Sequence, residues 1–441
     1  RRAPDRRAFF FRFERAEGTF GPREPRVARS DFSPMRLLIA DKLHPRAVEE
    51  LRALPLEVDY APDITAEQLE QRLPGFGILV VRSTPVSAKA IEGARELNLI
   101  VRAGSQVSTI DVRAASRRGV YVANCPGKNA SAVAELVFGL MLALDRRIVD
   151  ATQSLRAGRW QRAEYAKAEG LWGKTLGIAG LGAIGREVAS REREFGLEPL
   201  AWGRAANAAR AREMGIPFVN SLDELAARSD VLTLHLALSE RTRGVVGERV
   251  LAKLPRHAIL INTARADLLD HAAVLRAVRE RALRVGLDVH ESEPKGKDTY
   301  EAKGFDVPAT ADGGFLYGTP HISASTDKAQ LAIATEAVRV IRSFLLEGNA
   351  PNVINVVNAS SARFLLVIRM LDKVGTFANV LNVIKRHGIN VEEIANTVFE
   401  GGGAACAKLR VVSRPSESCL HEICAFDEVL HVDVVTLPNL A

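Results

Sequence analysis

One stretch constrains this chain more than any other: residues 173–185, reading GKTLGIAGLGAIG. Its segment Thr175–Ala179 is short, apolar and flanked by turn residues, so it reads as a buried strand. Gly180, Gly182 and Gly185 follow at GxGxxG spacing, and residues 183–195 then read as a helix. Gly180 permits a tight turn, Gly182 lets backbone approach a pyrophosphate, and Gly185 lets helix and strand pack closely. The helix N-terminus offers unsatisfied N–H donors to the anion. The strand before and the helix after favour a dinucleotide cradle over a purely structural turn.

The chain alternates on both sides of this stretch. Upstream, strands are expected at 36–41, 56–59, 77–82, 97–103 and 120–123, with helices at 45–54, 66–73, 87–94 and 111–118. A long apolar helix over 129–148, with Asn129 or Ser131 as N-cap, is a natural crossing between two α/β halves. Downstream, strands are expected at 199–202, 217–219, 230–235, 258–262 and 284–289, with helices between them, including 270–281. Residues 295–316 read as a loop. An amphipathic helix over 325–346 is expected to return to the first half, and 347–357 reads as a linker. From 364 the pattern is strand, helix, strand, strand, helix, strand (364–368, 377–386, 391–400, 405–411, 416–425, 430–435), a βαββαβ ferredoxin-like module. The fold class is therefore α/β, with two doubly wound parallel-sheet domains and a smaller third module.

Composition narrows the function classes. The chain has 441 residues, enough for two or three domains, and a formal charge of +7. Nine arginines against five acids put more than half of that charge in residues 1–34, and the remainder is too scattered to argue for nucleic acid. Residues 1–34 read as a disordered extension upstream of a start at Met35, a reading preferred to a transit peptide because of the five acids. No apolar run reaches the roughly 20 residues that span a bilayer. Cys125, Cys406, Cys419 and Cys424 lack paired metal spacing, so no metal site is expected and a reducing, cytoplasmic setting is.

Three residues beyond the glycine loop carry chemical potential. Arg265 follows Ile261-Asn262-Thr263-Ala264, Glu293 follows Asp288-Val289, and His321 lies in Thr319-Pro320-His321. Ligands of open α/β sheets bind beyond the carboxyl ends of the strands, where the first two lie. An arginine there can clamp a carboxylate. A histidine paired with a carboxylate can give or take a proton near neutral pH. Taken singly, each also has a plain reading: a solvated loop charge, a surface acid, a turn histidine.

Together with the glycine loop, the motifs 262–265, 288–294 and 319–322 resemble the signatures of the D-isomer-specific 2-hydroxyacid dehydrogenases, over roughly residues 35–357. The resemblance implies that His321 is the acid/base, Glu293 its partner, and Arg265 the group that holds the substrate carboxylate and polarises the 2-oxo group. It implies cofactor contacts from Gly180, Gly182, Ala183, Ile184, Gly185, Gly203, Arg204, His235, Thr263, Ala264 and Asp288, with Asp288 on the nicotinamide side. Residues 364–441 resemble an ACT domain, through Asp372-Lys373-Val374-Gly375 and Gly388-Ile389-Asn390-Val391, which implies an amino-acid effector. Residues 81–83 and 124–129 look like the subfamily that oxidises 3-phosphoglycerate to 3-phosphohydroxypyruvate, the first step of serine synthesis. Arg82 would then bind the substrate phosphate, with Ser83, Gly104, Asn129 and Arg265 completing the substrate site. A homodimer or homotetramer is implied, with no nucleic-acid or membrane partner.

The implied layout is an extension at 1–34, a substrate-binding domain at 35–128 and 322–346, a dinucleotide domain at 129–321, a linker at 347–363 and the ACT module at 364–441. Departures from the family pattern are Gln106 and Ala266 where glycine is usual, His290 where Phe or Tyr is usual, and Met370 and Asp372 in the module. A lost glycine near substrate is expected to shift or strain its loop, and His290 is expected to pack against the sheet. The resemblance implies NAD, yet Gly203 stands where an acid would bind the adenosine ribose. With Arg204 next to it, and Arg210 or Arg212 as helpers, the electrostatics lean to NADP(H). Alternatives are a glyoxylate or hydroxypyruvate reductase of the same family, and a catalytically weak nucleotide-sensing binding protein of the same fold.

Overall fold

The computed structural model describes residues 34–291, 293, 313–357 and 360–438. The expected extension at 1–34 therefore lies almost wholly outside the described residues, as does most of the expected loop at 295–316. The chain forms two compact units that part between Asn352 and Val353.

The first unit holds two parallel sheets. Strands β1 (Met35–Ile39), β2 (Leu56–Tyr60), β3 (Ile78–Val81), β4 (Leu99–Arg102) and β5 (Tyr121–Asn124) pair in the order β2-β1-β3-β4-β5. Ile78–Val81 is buried at every position, the pattern of a parallel strand covered on both faces. The second sheet contains β6 (Thr175–Ala179), β7 (Glu198–Trp202), β8 (Val231–Leu234), β9 (Ile259–Asn262), β10 (Arg284–Leu287) and β11 (Phe315–Gly318), ordered β11-β10-β9-β8-β6-β7. In both sheets the winding direction reverses beside the first strand, between β1 and β3 and between β6 and β8. A crevice opens at the carboxyl ends of such reversal points.

The helix Ala130–Arg146 joins the halves, its Ala134, Val137, Met141 and Leu144 buried in the core of the second sheet. The helix Asp327–Glu347, capped by Thr326, packs on the helix Pro45–Arg52 and on β4, so the chain does return to the first half.

Four local readings are corrected. The helix expected over 129–148 stops at Arg146, because Arg147 adopts a left-handed conformation (φ 51°), and a second helix runs Ile148–Arg156. Arg147 binds Asp150 and Glu164, tertiary pairings that no local periodicity encodes. The helix expected over 183–195 ends at Ala189, and Glu192–Phe195 forms a 3₁₀ turn. Residues 217–219 make only an isolated bridge, Phe218 to Ala201. Residues 315 and 316, read as the end of a loop, belong to edge strand β11 (Phe315–Gly318), paired with β10 and with Phe315 buried in the core.

The second unit is an antiparallel sheet of β12 (Phe364–Leu371), β13 (Val391–Val398), β14 (Ala404–Val411) and β15 (Val429–Thr436), ordered β13-β14-β12-β15. Helices Thr376–Arg386 and Glu417–Cys424 bury Val380, Val383, Cys419 and Ile423 against it. The βαββαβ order and this strand order are those of a ferredoxin-like fold.

Candidate active site

The carboxyl ends of both sheets in the first unit face one cleft of about 360 Å³. Arg82, Arg102, Gly104, Ser105 and Gln106 line it from the first sheet, and Ile184, His235, Thr263, Ala264, Arg265 and His321 from the second. Asn129, at the start of the joining helix, lines it between them.

Two strand-end aspartates shape its walls. Asp41, just after β1, accepts from the backbone N–H groups of Arg82, Ser83 and Thr84 (2.7–3.0 Å) and from the Ser83 hydroxyl (2.9 Å). The loop that presents Arg82 is thereby held, with the Ser83 hydroxyl donating to Asp41. Asp288, just after β10, is fully buried. Its carboxylate accepts from Thr319 Oγ1 (2.6 Å), Ile322 N (2.8 Å) and Ser323 N (2.9 Å). The bonds that satisfy this buried charge make it an anchor of the His321 loop. His290 adds a second tie, its Nε2 2.9 Å from the Thr319 carbonyl oxygen.

On that loop His321 itself is left-handed (φ 52°), an uncommon conformation for a residue with a Cβ. Its Nδ1 is 2.6 Å from Glu293 Oε2. Pairing at Nδ1 leaves Nε2 for a substrate proton, and His321 lines the cleft. Glu293 Oε1 accepts from His290 N at 3.0 Å, which fixes the carboxylate in turn. Arg265 lies on the loop after β9 and lines the same cleft. The buried Asn262 amide spans that loop, donating to the Arg265 carbonyl (2.8 Å) and accepting from Ala264 N (3.0 Å). Burial lowers the Arg265 pKa from its ordinary value, with Glu293 acting the other way.

The glycine loop passes a test for a dinucleotide. Gly180 has φ +101°, and a Cβ there would lie 2.7 Å from the His235 carbonyl oxygen. A Cβ on Gly185 would lie 2.0 Å from the Gly180 carbonyl oxygen, so helix and turn meet at glycine distance. Gly182 precedes the helix Ala183–Ala189 with no side-chain cap, and a Cβ there would meet nothing within 4 Å, so its backbone is open to a ligand. His235 Nδ1 and Thr263 Oγ1 are buried without a hydrogen-bond partner on the same wall. His235 borders the cleft, yet burial pushes its pKa down to about 3, so it is neutral at physiological pH. Gly203 opens the loop after β7, with Asn207 filling the space beside it, and Arg204 next to it is exposed. Arg210, on the helix Ala205–Glu213, reaches the Leu181 carbonyl oxygen and ties that helix to the glycine loop.

The departures at 106 and 266 do not strain the backbone, because neither residue has a positive φ. Asn129 occupies the N-cap position, but its Oδ1 accepts from Ser105 Oγ (3.2 Å) instead of capping the helix. Among the described residues no cluster of metal-ligand type occurs. Sequence reasoning assigns no site role to Arg102, Asp41 or Asn262. Arg102 and Asp41 follow the same strand-end rule that picks out Arg265.

A nicotinamide-dependent dehydrogenase is the class to which this glycine cradle, beside the His321–Glu293 pair and Arg265, points. The chain belongs to the D-isomer-specific 2-hydroxyacid dehydrogenases. Residues 138–323 match the family model described as "D-isomer specific 2-hydroxyacid dehydrogenase, NAD binding domain". The hydroxypyruvate reductase of Thermotoga maritima is 38% identical over 63% of this chain and 90% of its own length. The D-3-phosphoglycerate dehydrogenase of Methanocaldococcus jannaschii is 38% identical over 74% of this chain and 60% of its own length, so the chain spans less than two thirds of that relative. The NAD⁺-bound 3-phosphoglycerate dehydrogenase of Entamoeba histolytica superposes with a TM-score of 0.59 at 25% identity, over 73% of this chain and 99% of that one. The cofactor of the family is a nicotinamide dinucleotide. No described helix is long and apolar enough to cross a membrane.

Proposed function

We propose that the chain interconverts 3-phosphoglycerate and 3-phosphohydroxypyruvate, the entry step of serine synthesis. The carrying observation is the cleft with His321–Glu293 and Arg265 on one wall and a second cation, Arg82, on the other. A substrate with a carboxylate at one end and a phosphate at the other matches that division.

When bound, the nicotinamide supplies the hydride acceptor at C4. His321 Nε2 takes the hydroxyl proton as C2 is oxidised, and Glu293 steadies the resulting imidazolium through Nδ1. Arg265 grips the carboxylate and holds C2 in a near-attack position. In the reverse direction His321 returns the proton to the carbonyl oxygen that Arg265 polarises. The Gly203-Arg204 loop supports a lean to NADP(H), since no carboxylate there repels a 2′-phosphate.

The second unit is proposed as an ACT regulatory module, supported by its ferredoxin-like order, with an amino acid as effector. Truncation after Val357 should leave turnover and abolish any amino-acid response. A homo-oligomer is proposed because Trp160 and Trp172 are 81% and 85% exposed. A cytoplasmic setting is supported by four free thiols.

A hydroxypyruvate or glyoxylate reductase is the competing reading, favoured by the Thermotoga maritima relative. A nucleotide-sensing binding protein loses its foothold, because Gln106 and Ala266 leave the loops unstrained. Turnover of phosphorylated and unphosphorylated 2-oxo acids with either reduced cofactor separates these readings.

A further inference from the structure

Strands β1 and β3 are neighbours at the point where the winding of the first sheet reverses, with Ile39 in register with Val80. The loops leaving the two strands part there and open a crevice. A side chain of the protein itself occupies it. Asp41 Oδ2 accepts from three consecutive backbone N–H groups, that of Arg82 at 2.7 Å and those of Ser83 and Thr84 at 3.0 Å. Asp41 Oδ1 accepts from the Ser83 hydroxyl at 2.9 Å. The buried Thr84 hydroxyl donates to the Ala40 carbonyl oxygen at 3.3 Å, a second tie between the same two loops. Successive N–H groups that converge on one point form a concave anion nest. A carboxylate in it makes charge-assisted bonds, roughly twice as strong as bonds to a neutral acceptor.

These four bonds go to the backbone and to Ser83, and none of them to the Arg82 guanidinium. An acid kept only to neutralise the neighbouring arginine would pair with its side chain. Asp41 instead fixes the Arg82 backbone and leaves the guanidinium to line the cleft with Arg102, Arg265 and His321. The carboxylate is also felt among those cations. Burial first, then Arg82 and Arg265, lower the Arg102 pKa from its ordinary value, whereas Cys125 and Asp41 act to raise it. A guanidinium at the end of a long, flexible side chain meets a phosphate in one geometry only if its point of departure is held.

We propose that Asp41 is a positioning residue for the phosphorylated end of the substrate: by filling the nest of residues 82–84 it fixes the point from which Arg82 reaches the phosphate. This rests on the phosphorylated-substrate reading above.

The test is the ratio of kcat/KM on 3-phosphohydroxypyruvate to that on hydroxypyruvate, measured on the full chain with reduced cofactor. The proteins compared are wild type, Asp41→Ala, Asp41→Asn, Arg82→Gln and the double variant of Asp41→Ala with Arg82→Gln. Asp41→Ala should lower the ratio about tenfold, through KM for the phosphorylated substrate more than through kcat. Asp41→Asn keeps an acceptor oxygen without its charge, so its ratio should lie between those of Asp41→Ala and wild type. Because Asp41 acts through Arg82, the double variant should show the ratio of Arg82→Gln alone. Cofactor Kd and Tm report folding. A ratio unchanged in Asp41→Ala while Tm falls would reduce Asp41 to a structural residue and overturn the proposal. A further fall in the double variant would overturn it too, since Asp41 would then act apart from Arg82. If Asp41→Ala fails to fold, a wild-type ratio in Asp41→Asn overturns it. A wild type that neither turns over the phosphorylated substrate nor binds 3-phosphoglycerate calorimetrically overturns the functional reading, and this proposal with it. A wild type that prefers the phosphorylated substrate while both Asp41 variants keep its ratio overturns this proposal alone.

Discussion

His321 Nδ1 and Glu293 Oε2 lie 2.6 Å apart, although the two residues stand 28 positions apart in sequence and sit on different loops. Four further hydrogen bonds hold them in place. Asp288 holds the His321 loop through Thr319, Ile322 and Ser323, and the His290 N–H holds Glu293. The pair is held in place from both sides, and the left-handed His321 stores strain on the order of 1–3 kcal/mol that these anchors offset.

His321→Asn should therefore lower kcat by about 10²–10⁴-fold while leaving cofactor Kd nearly unchanged. Near-wild-type turnover of the purified variant would remove His321 from the acid/base role.

Glu293→Gln should cost about 10²-fold, since the amide cannot stabilise the imidazolium. Because the two residues act as one unit, the double variant should be about as slow as His321→Asn alone. Multiplicative losses in a double-mutant cycle would show that they act separately.

Cofactor choice is tested at the loop after β7. Arg204→Ala should weaken NADPH about tenfold more than NADH. Gly203→Asp alone is a poor probe, because a Cβ at 203 would lie 2.2 Å from Asn207 Nδ2. Combined with Asn207→Ala it should shift preference toward NADH. A wild-type NADH preference indifferent to Arg204→Ala contradicts the lean.

Acid stability should depend on Glu336, buried in the helix Asp327–Glu347. The Arg339 guanidinium, with Asn352 and Lys128, holds its carboxyl down to about 2 against the opposing effect of burial. A carboxylate depressed on folding adds stability above its unfolded pKa and loses it as pH falls through the folded value. Wild type should exceed Glu336→Gln by about 1–3 kcal/mol at pH 7, and the gap should close between about pH 4.5 and 2. A pH-independent gap in chemical unfolding would show that packing, not charge, carries the effect.

The succession of strands along the chain and the glycine loop are legible in sequence because apolar runs and glycine spacing are local signals. Edge strand β11 is not. Its four residues follow a polar, glycine-rich stretch, and pairing with β10 is what makes them a strand. The break at Arg147 is hidden for the same kind of reason, since its conformation is secured by Asp150 and Glu164. At the site, His321, Glu293 and Arg265 stand out as motifs, whereas Asp41, Asn262 and Arg102 gain meaning only from what they face. Asp288 also stands out as a motif, and the structure adds that it anchors the His321 loop.

The most direct test is the wild-type ratio of kcat/KM for 3-phosphohydroxypyruvate over hydroxypyruvate, measured with both reduced cofactors. A cleft with Arg82 facing Arg265 and His321 predicts a ratio of about 10² or more, because charged donors left unpaired reject the shorter substrate. A ratio near or below one would contradict the phosphorylated-substrate account.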